Sequence, residues 1–539
     1  MRWKILNKSK TKDVLKILLE NRGLKSDSQK REFLRPLKPE KLTAQKVGIS
    51  SAELKKAITR IKKAAKKKEK VVVYGDYDTD GVCATAIVWE ALHRLGLKAM
   101  PFIPMREQGY GMKVEKLEEL AKEGVKLVIT VDQGIVALSQ AKKAHELGLD
   151  LIITDHHVLG QKKPKALAII HTTKLSGAGV AWVLAQKLGG KDNLDLAAIA
   201  TVTDIVPLLG PSRSLVKFGL MAVAKTKRIG LKSLFQAAGL SSEKLDTYEI
   251  GYIIGPRLNA AGRMEDPLDS LRLICTSDQK RAQELAQKLD QRNRERQLLT
   301  QQTFLHARDS WLKTDGRSQL IFVAHETYAE GIVGLVASKL AEEFCRPAVV
   351  VAQQKDWSKA SARSVNGFNM VEAVRACAEL LDSHGGHAKA AGFTIATSKI
   401  EAVRVKLLAL AENQLAPKPL IKQIIADCEL PWEKISEDLY QQLQTLSPFG
   451  EANPPPVFVS RQVKVLEARL VGANSQHLKL KLASPNSSLV WEAIGFSLGN
   501  FYPQLSPDKL IDIVYSLTLD FWNGEKKLLL KLKDLKFNP

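Results

Sequence analysis

The stretch Val71–Gly81, VVVYGDYDTDG, constrains the fold more than any other part of the chain. A short, apolar, β-branched run that ends at a glycine is typical of a buried strand. Asp76, Asp78 and Asp80 follow it at alternate positions, and the next segment has helical apolar spacing. Ligands bind at the carboxyl ends of strands in open α/β sheets, and clustered carboxylates repel one another unless a cation lies among them. The stretch therefore indicates a divalent-metal site, with a polar helix-capping loop as the alternative.

The pattern around this stretch predicts the architecture. Apolar strands and helices alternate from Val71 to about Leu220, which is typical of a doubly wound parallel sheet. A long segment without glycine or proline, Ser277–Leu312, predicts a connecting helix, and a second α/β unit follows from about Ser318 to Leu410. After about Pro417, five short alternating segments predict a small antiparallel barrel. The OB-fold is the first candidate, and we expect this domain to bind nucleic acid, since such barrels bind single strands.

These patterns divide the chain into six parts. They are an N-terminal helical extension (1–50), a first α/β domain (51–220), a helical and Gly/Arg-rich segment (221–276), the connecting helix (277–315), the second α/β domain (316–412) and the all-β barrel (418–539). We expect linkers at Ala416–Pro419 and Ser447–Pro456, which are rich in proline.

Three further clusters of acidic and histidine residues follow apolar elements. Asp132 follows KLVITV, the run Asp155, His156 and His157 follows LIIT, and Asp204 lies in TVTDIVPL. Imidazole combined with carboxylates suits manganese, zinc or iron. One such cluster would be weak evidence, since an aspartate at a strand end is often a cap, but four with similar placement predict metal chemistry.

Several segments combine arginine with glycine, as sites for phosphate do. Arg106 lies in the loop REQGYG, where it either faces an anion or is an ordinary surface arginine. The segment Gly251–Met264, GYIIGPRLNAAGRM, is either a phosphate contact or a tight turn between domains. In the second α/β unit, an anion pocket is predicted from backbone amides, a hydroxyl, a guanidinium and imidazole, contributed by Ser361, Arg363, His384, Gly385, Gly386 and His387.

Charge and cysteine content bound the class of protein. The 539 residues carry a net charge of +23, which favours a polyanionic partner and nucleic acid over a membrane. The lysine run Lys62–Lys70 is either a solvated helix face or a nucleic-acid contact. Five cysteines without paired spacing suit a reducing compartment. We find no signal-peptide core and no membrane-length apolar run, and expect a cytoplasmic protein.

The motifs DYDTDG, VDQG, TDHH and TVTD, in this order, resemble those of the DHH phosphoesterases. GPRLNAAGRM, SARS and GGHAKAAG resemble the single-strand-specific exonucleases of that superfamily and their second domain, DHHA1. The match covers roughly Val71 to Thr394. The resemblance implies hydrolysis of single-stranded DNA from the 5′ end, with two Mn²⁺ or Mg²⁺ ions and release of 5′-mononucleotides, in DNA repair and recombination.

The resemblance also assigns residues. It implies that the metal ligands are Asp76, Asp78, Asp80, Asp132, His156 and Asp204, and that Asp155 and His157 complete the catalytic set. It implies contacts with the DNA backbone and terminal phosphate from Arg106, Arg257, Asn259, Arg263, Ser361, Arg363 and His387. His171, Ser176 and Gln133 depart from the family pattern, as does FGEANP, and these departures bear on fine substrate preference.

Two other functions remain open from sequence. One is a relative that cleaves short RNA, cyclic dinucleotides or pyrophosphate, against which the net charge and the barrel argue. The other is a non-enzymatic single-strand-binding scaffold, against which the complete set of acids argues. We expect a monomer, and the sequence leaves open whether a helicase or a single-strand-binding protein supplies the strand.

Overall fold

The structure is a computed structural model. It describes residues 1–7, 13–109, 111–190, 193–241, 245–314, 316–416, 422–485, 487–522 and 525–537. All but Ala416 of the predicted Ala416–Pro419 linker lies outside the described residues.

The first α/β unit is built around a five-stranded parallel sheet. Its elements are α4 (Ser51–Lys67), β2 (Lys70–Tyr74), α5 (Thr79–Arg94), β3 (Ala99–Phe102), α6 (Val114–Lys122), β4 (Val125–Val131), α7 (Leu138–Glu146), β5 (Asp150–Asp155), β6 (Ala168–His171), α8 (Gly177–Lys187), α9 (Leu194–Thr203) and α10 (Gly210–Ala224). The strand order is β3-β2-β4-β5-β6, and every neighbouring pair is parallel. Apart from Lys70 and Lys126 near their amino ends, the central strands β2 and β4 are buried because Val, Ile and Leu occupy both faces, as expected when helices cover both sides. The doubly wound prediction is confirmed.

The strand order places a topological switch point next to β2. The chain passes from β2 to β3 on one side, and β4 then pairs with β2 on the other. Connections that leave in opposite directions open a crevice at the carboxyl ends of the two strands, which is where such sheets bind ligands. Asp76–Asp80 follow β2 and Asp132 follows β4, so both clusters lie at this crevice.

A helical region joins the two α/β units. It comprises α11 (Ile229–Ala237), α12 (Thr247–Glu249), a π-helical turn (Ile250–Ile254), α13 (Gly255–Met264), α14 (Leu268–Cys275) and α15 (Gln279–Thr314). The segment from Thr247 to Met264 is thus one continuous helical run and not a tight turn. Gly255 permits the helical run to pack closely against the end of α9, because a Cβ at this position would overlap the side chain of Thr203. Helix α15 has 36 residues, which corresponds to about 54 Å.

The second α/β unit has a mixed sheet. Its elements are β7 (Ile321–His325), α16 (Val333–Phe344), β8 (Ala348–Ala352), β9 (Trp357–Arg363), α17 (Met370–Arg375), β10 (Ser383–His387), β11 (Ala390–Ala396) and α18 (Ile400–Leu415). The strand order is β10-β11-β9-β8-β7, in which only β7 and β8 are parallel. Strand β10 lies at the edge and is exposed along its whole length.

The C-terminal part forms the predicted five-stranded barrel. Its elements are β12 (Gln423–Glu429), α19 (Glu437–Gln444), β13 (Phe458–Val471), β14 (His477–Ala483), β15 (Val490–Gly495), β16 (Leu510–Trp522) and β17 (Glu525–Phe537). Pairing of the first barrel strand, β13, with β16 closes the barrel. One pair of barrel neighbours, β15 and β17, is parallel, so the barrel is not wholly antiparallel as predicted.

The N-terminal residues belong structurally with this C-terminal part. They were expected to be helical, yet they begin with a strand, β1 (Arg2–Asn7), that pairs in parallel with β12. The helices α1 (Val14–Asn21), α2 (Asp27–Leu34) and α3 (Ala44–Val47) follow. Ile17, Leu18, Leu19 and Phe33 are buried in the same apolar cluster as the barrel interior.

The segment 447–456, predicted as a linker, is packed between the parts. Asn453 is fully buried there and donates to the carbonyl oxygens of Leu446 and Pro448 at 2.8 and 2.7 Å. Among the described residues, no helix is both long enough and apolar enough to cross a bilayer.

Candidate active site

The sheet brings the predicted acidic and histidine residues together at the crevice. Asp76, Asp80 and Asp132 are 4%, 1% and 2% exposed. Asp132 takes a left-handed backbone conformation, φ 61°, directly after β4, and Asp204 ends α9. Strained backbone of this kind is found at functional sites.

The side chains form three overlapping sets whose potential ligand atoms lie within 4.8 Å of one another. His156 links them, because its Nε2 atom is 3.2 Å from Asp132 Oδ1, 3.5 Å from Asp204 Oδ2 and 3.7 Å from Asp80 Oδ2. The sets are Asp76–Asp78–Asp132, Asp80–His156–Asp204 and Asp132–His156–His157. The six predicted metal ligands are therefore neighbours in space.

Glycine and helix geometry permit this crowding. A Cβ at Gly81 would lie 2.5 Å from the carbonyl oxygen of Asp76, and one at Gly177 would lie 2.5 Å from Cβ of Asp132. The backbone amides of Gly177 and Ala178, at the start of α8, each donate to Asp80 at 2.7 Å. The helix N-terminus thus holds this carboxylate in place.

The electrostatics of the cluster suit a cation. Burial and the charge of neighbouring aspartates raise the pKa of Asp80 to about 7 and that of Asp204 to about 9. The same causes raise the pKa of Asp76 and of Asp132 well above the ordinary value. Asp76 Oδ1 and His156 Nε2 are buried and have no hydrogen-bond partner among the described residues. Clustered carboxylates with an unused imidazole nitrogen fit divalent metal ions.

Asp155 has a different position from the other acids. Its Oδ1 accepts from the backbone amides of His156 and His157 and from His157 Nδ1 at 2.8 Å, and its Oδ2 accepts from the Ile135 amide. Burial alone would lower the pKa of His157, but the hydrogen bond to Asp155 raises it to about 9. Burial, followed by the charge of His157, lowers the pKa of His156 to about 4. Asp155 therefore orients the two histidines, one cationic and one neutral.

A cluster of arginines lies close to the acidic cluster, near enough for the charge of Arg106 to act on Asp76 and that of Asp78 to act on Arg263. Arg106 Nε donates to the Gly262 carbonyl at 3.2 Å and stacks over Tyr77, and Arg263 donates to the Gly331 carbonyl at 3.1 Å. Burial, then the positive charges of Arg106 and Arg296, lower the pKa of Arg263 to about 10. Arg106 and Arg263 share a cavity of about 410 Å³ with Lys359, Glu265 and Glu330, and Glu330 is paired with Lys359 at 2.7 Å. Such a concentration of guanidinium groups is suited to an anion.

The second α/β unit contributes to the same region. The Arg363 guanidinium donates to Ser361 Oγ at 3.2 Å, and its charge contributes to the lowered pKa of Arg263. His387 lies at the end of the exposed strand β10, beside His384, Gly385 and Gly386. The structure thus brings Arg363 near Arg263 and leaves His387 on an open edge.

Two residues predicted to contact DNA are bonded to other parts of the protein. Arg257 is paired with Asp290 of α15 at 2.8 Å and donates to the Ile253 carbonyl. Asn259 accepts from the Thr79 amide at 2.8 Å and so fixes the start of α5 next to the metal cluster. Both side chains position other elements in this structure.

Sequence reasoning missed two contributors. Arg296 of α15 was hidden in a charged helix, and only its packing near Arg263 indicates a role. Gln133 was noted only as a departure, but its fully buried side chain donates to the Gly75 carbonyl and joins the ends of β4 and β2. The signal for Gln133 was its place directly after Asp132. His171 and Ser176 also have local roles, as His171 contacts the His157 carbonyl and Ser176 caps α8.

Three family models match this chain, one each for the first α/β unit, the second α/β unit and the C-terminal barrel. The DHH family N-terminal domain matches residues 70–204, the DHHA1 domain matches 317–413, and the RecJ OB domain matches 426–534. These matches place the chain in the DHH class, and the acidic cluster at the switch point lies within the part that the DHH domain matches.

Individual relatives define the branch. The RecJ single-stranded-DNA-specific exonucleases of Bacillus subtilis and Thermus thermophilus are 36% and 32% identical over 89% and 90% of this chain. The chain spans 63% and 71% of their lengths. The crystal structure of RecJ from Thermus thermophilus in complex with Mn²⁺ matches the whole chain and 80% of that protein, with a TM-score of 0.84 at 28% identity. The chain belongs to the RecJ family.

Proposed function

We propose that this chain is a metal-dependent exonuclease that hydrolyses single-stranded DNA from the 5′ end and releases 5′-mononucleotides, in DNA repair and recombination. The observation that carries the proposal is the buried Asp/His cluster at the switch point, close to an arginine cluster with members from both α/β units. Family membership, with curated relatives named single-stranded-DNA-specific exonucleases, supports the substrate.

Two divalent ions, Mn²⁺ or Mg²⁺, are proposed as cofactors. Asp76, Asp78 and Asp132 would hold one, and Asp80, His156 and Asp204 are grouped for the other. When bound, such ions lower the pKa of a water molecule and neutralise phosphate oxygens.

The chain's own groups would prepare the phosphate for attack. His157, with its raised pKa, is cationic at neutral pH and can donate a proton or a hydrogen bond to a phosphate oxygen. Asp155 would fix the ring in the required orientation. The fixed guanidinium groups of Arg106 and Arg263 would stabilise negative charge that develops on the phosphate.

The polarity would come from a pocket for the 5′ phosphate, formed by Arg106, Arg263, Ser361 and Arg363. A terminal phosphate carries an extra negative charge, and arginine binds it with two parallel hydrogen bonds. Arg257, which pairs with Asp290, is left out of this pocket. We expect Arg363→Ala to weaken the use of 5′-phosphorylated strands by about 1.5–3 kcal/mol, the value of a hydrogen bond to a charged group.

The test compares 5′-phosphate with 5′-hydroxyl oligonucleotides, each labelled at the 3′ end, in the presence of Mn²⁺. Arg375→Ala is the matched control, since Arg375 is an exposed arginine of the same unit. If Arg363→Ala keeps the wild-type preference between the two ends, the pocket is wrongly assigned; degradation from the 3′ end would refute the polarity. Short RNA and a cyclic dinucleotide as competitors test the small-substrate alternative.

The setting of the reaction is also a proposal. We propose a cytoplasmic monomer, and all five cysteines are free thiols, as a reducing compartment requires. A helicase or a single-strand-binding protein would supply the strand.

A further inference from the structure

Two tyrosines of the helical run 247–264 are unusually exposed. Tyr248 and Tyr252 are 59% and 71% exposed, and their rings stack with centroids 4.9 Å apart and planes 30° from parallel. Neither ring is needed for the core, because Ile250 and Ile254 provide the buried contacts of this turn. A solvent-facing aromatic pair is suited to stacking against another flat ring.

The helical turn that bears the pair packs against the end of α9. Gly251 packs against Val202 and Gly255 against Thr203, so the turn that bears Tyr252 rests on the last turn of α9. The next residue of that helix end is the metal-ligand candidate Asp204. Tyr252 directly follows Gly251 and precedes Gly255, so it is within about one helical turn of both contacts with the end of α9.

The same run also reaches the barrel. Thr247 Oγ1 donates to the Phe449 carbonyl at 2.7 Å, in the segment that leads to β13. The backbone amide of Leu208 donates to the Glu451 carbonyl in the same segment at 2.9 Å. At its other end, the run carries Arg263 of the arginine cluster. One helical run thus extends from the arginines, past the metal ligands, to the barrel, with the tyrosines at the barrel end.

We propose that Tyr248 and Tyr252 form a stacking platform for nucleobases of the single strand, between the metal centre and the C-terminal barrel. This inference rests on the proposed function. With the 5′ phosphate at the arginines, the stacked bases lie on the 3′ side of the bond that is cut. Every base has a π-face, so the platform holds the strand without reading its sequence.

The experiment measures binding of single-stranded DNA in EDTA, which prevents hydrolysis. The strands carry one abasic nucleotide at successive positions from the 5′ end. In the wild type, we expect affinity to fall when the abasic nucleotide occupies one or two adjacent positions. The double variant Tyr248→Leu/Tyr252→Leu keeps apolar side chains but no rings, and should bind the intact strand about tenfold more weakly and lose that position dependence.

Two further variants separate stacking from other effects. Tyr248→Phe/Tyr252→Phe keeps both rings, and should restore the position dependence. Trp357→Leu removes an exposed aromatic ring at the start of β9, away from the barrel, and is the matched control that should behave as the wild type. Thermal melting of each variant checks the fold, which the exposed positions should leave intact.

The outcomes distinguish the two levels of the proposal. If the double Leu variant keeps the abasic pattern of the wild type, the platform is refuted, and the exonuclease proposal stands as long as the wild type hydrolyses the strand with Mn²⁺. If the wild type fails to hydrolyse single-stranded DNA, the proposed function is refuted whatever the tyrosines do. Weak binding by both the Leu and the Phe variants would show that the rings act through local structure and not through stacking.

Discussion

At the scale of single residues, Asp132 shows that a candidate metal site destabilises the fold when its acids lie close together without a cation. Burial and the charges of Asp80 and Asp78 raise its pKa well above the ordinary value. We predict that Asp132→Asn relieves this repulsion and melts higher than the wild type in EDTA. A gain of about 1 kcal/mol corresponds to about 2–4 °C in a domain of 150–250 residues.

The same variant should lose the rise in melting temperature that Mn²⁺ gives the wild type, and should lose hydrolysis. Melting curves in EDTA and in Mn²⁺ measure both effects, with Asp356→Asn, an exposed aspartate, as the control. A variant that melts lower in EDTA would show that Asp132 is a structural residue instead of a metal ligand.

The grouping of the candidate metal ligands was predictable from sequence because each follows an apolar strand or helix, so the sheet fixes where they meet. The partners of the arginine side chains could not be predicted from sequence. Arg257 stands in a glycine-rich motif that suggests phosphate, yet its partner Asp290 is 33 residues away on a different helix. Arg296 lies among many charged residues of α15, and only packing brings it near Arg263.

At the scale of elements, Arg213 of α10 joins three parts of the chain. It is fully buried, and its guanidinium lies over the Phe33 ring at 3.8 Å. Burial lowers its pKa to about 10. It donates to the backbone carbonyls of Phe33, Leu446, Ser447 and Pro448.

We predict that Arg213→Met loosens the attachment of the barrel to the catalytic unit. The Leu446 and Pro448 carbonyls keep Asn453 as a donor, but those of Phe33 and Ser447 lose the arginine, and each buried carbonyl left unsatisfied costs about 1–3 kcal/mol. Calorimetry should show an earlier first transition, and limited proteolysis should release the C-terminal part sooner. Arg31→Met, an exposed arginine on the neighbouring helix α2, is the control. Identical proteolysis of both variants would contradict this role.

The individual elements were largely predictable from periodicity, but their long-range pairing was not. The strand β1 is short, and its first residue, Arg2, pairs with Gln423 of β12, so no local pattern connects them. The run from Thr247 to Met264 contains three glycines, which argue against a helix locally. Those at Gly255 and Gly262 serve close packing against Thr203 and Tyr77, and tertiary contact overrides propensity.

At the scale of the molecule, the charge of +23 predicts binding that weakens with salt. The logarithmic slope is about −0.7 per phosphate neutralised, so about four contacts lower the affinity about 50-fold between about 50 and 200 mM salt. The slope is measured from the affinity for single-stranded DNA in EDTA at several salt concentrations. A flat dependence would contradict a nucleic-acid partner.

The same titration decides the role of the lysine run. Lys66 and Lys67 lie at the end of α4 that leads to the amino end of β2, which is the opposite edge from the acids. We therefore expect Lys66→Gln/Lys67→Gln to keep the wild-type slope, as a solvated face would. A slope reduced by about 1.4 would assign both lysines to the strand.

The shared interior of the two chain ends leads to a prediction about truncation. Ile17, Leu18, Leu19 and Phe33 are buried against the barrel, so deletion of residues 418–539 alone exposes this apolar surface. We predict that this truncation aggregates, because a large exposed apolar patch favours association. Deletion of residues 1–41 in addition removes the patch and keeps Ala44, Val47 and Ile49, which belong to the catalytic core. This doubly truncated protein should be soluble and hydrolyse short strands with Mn²⁺, as gel filtration and a nuclease assay would measure. If removal of residues 418–539 alone gives a well-behaved monomer, the N-terminal segment does not depend on the barrel.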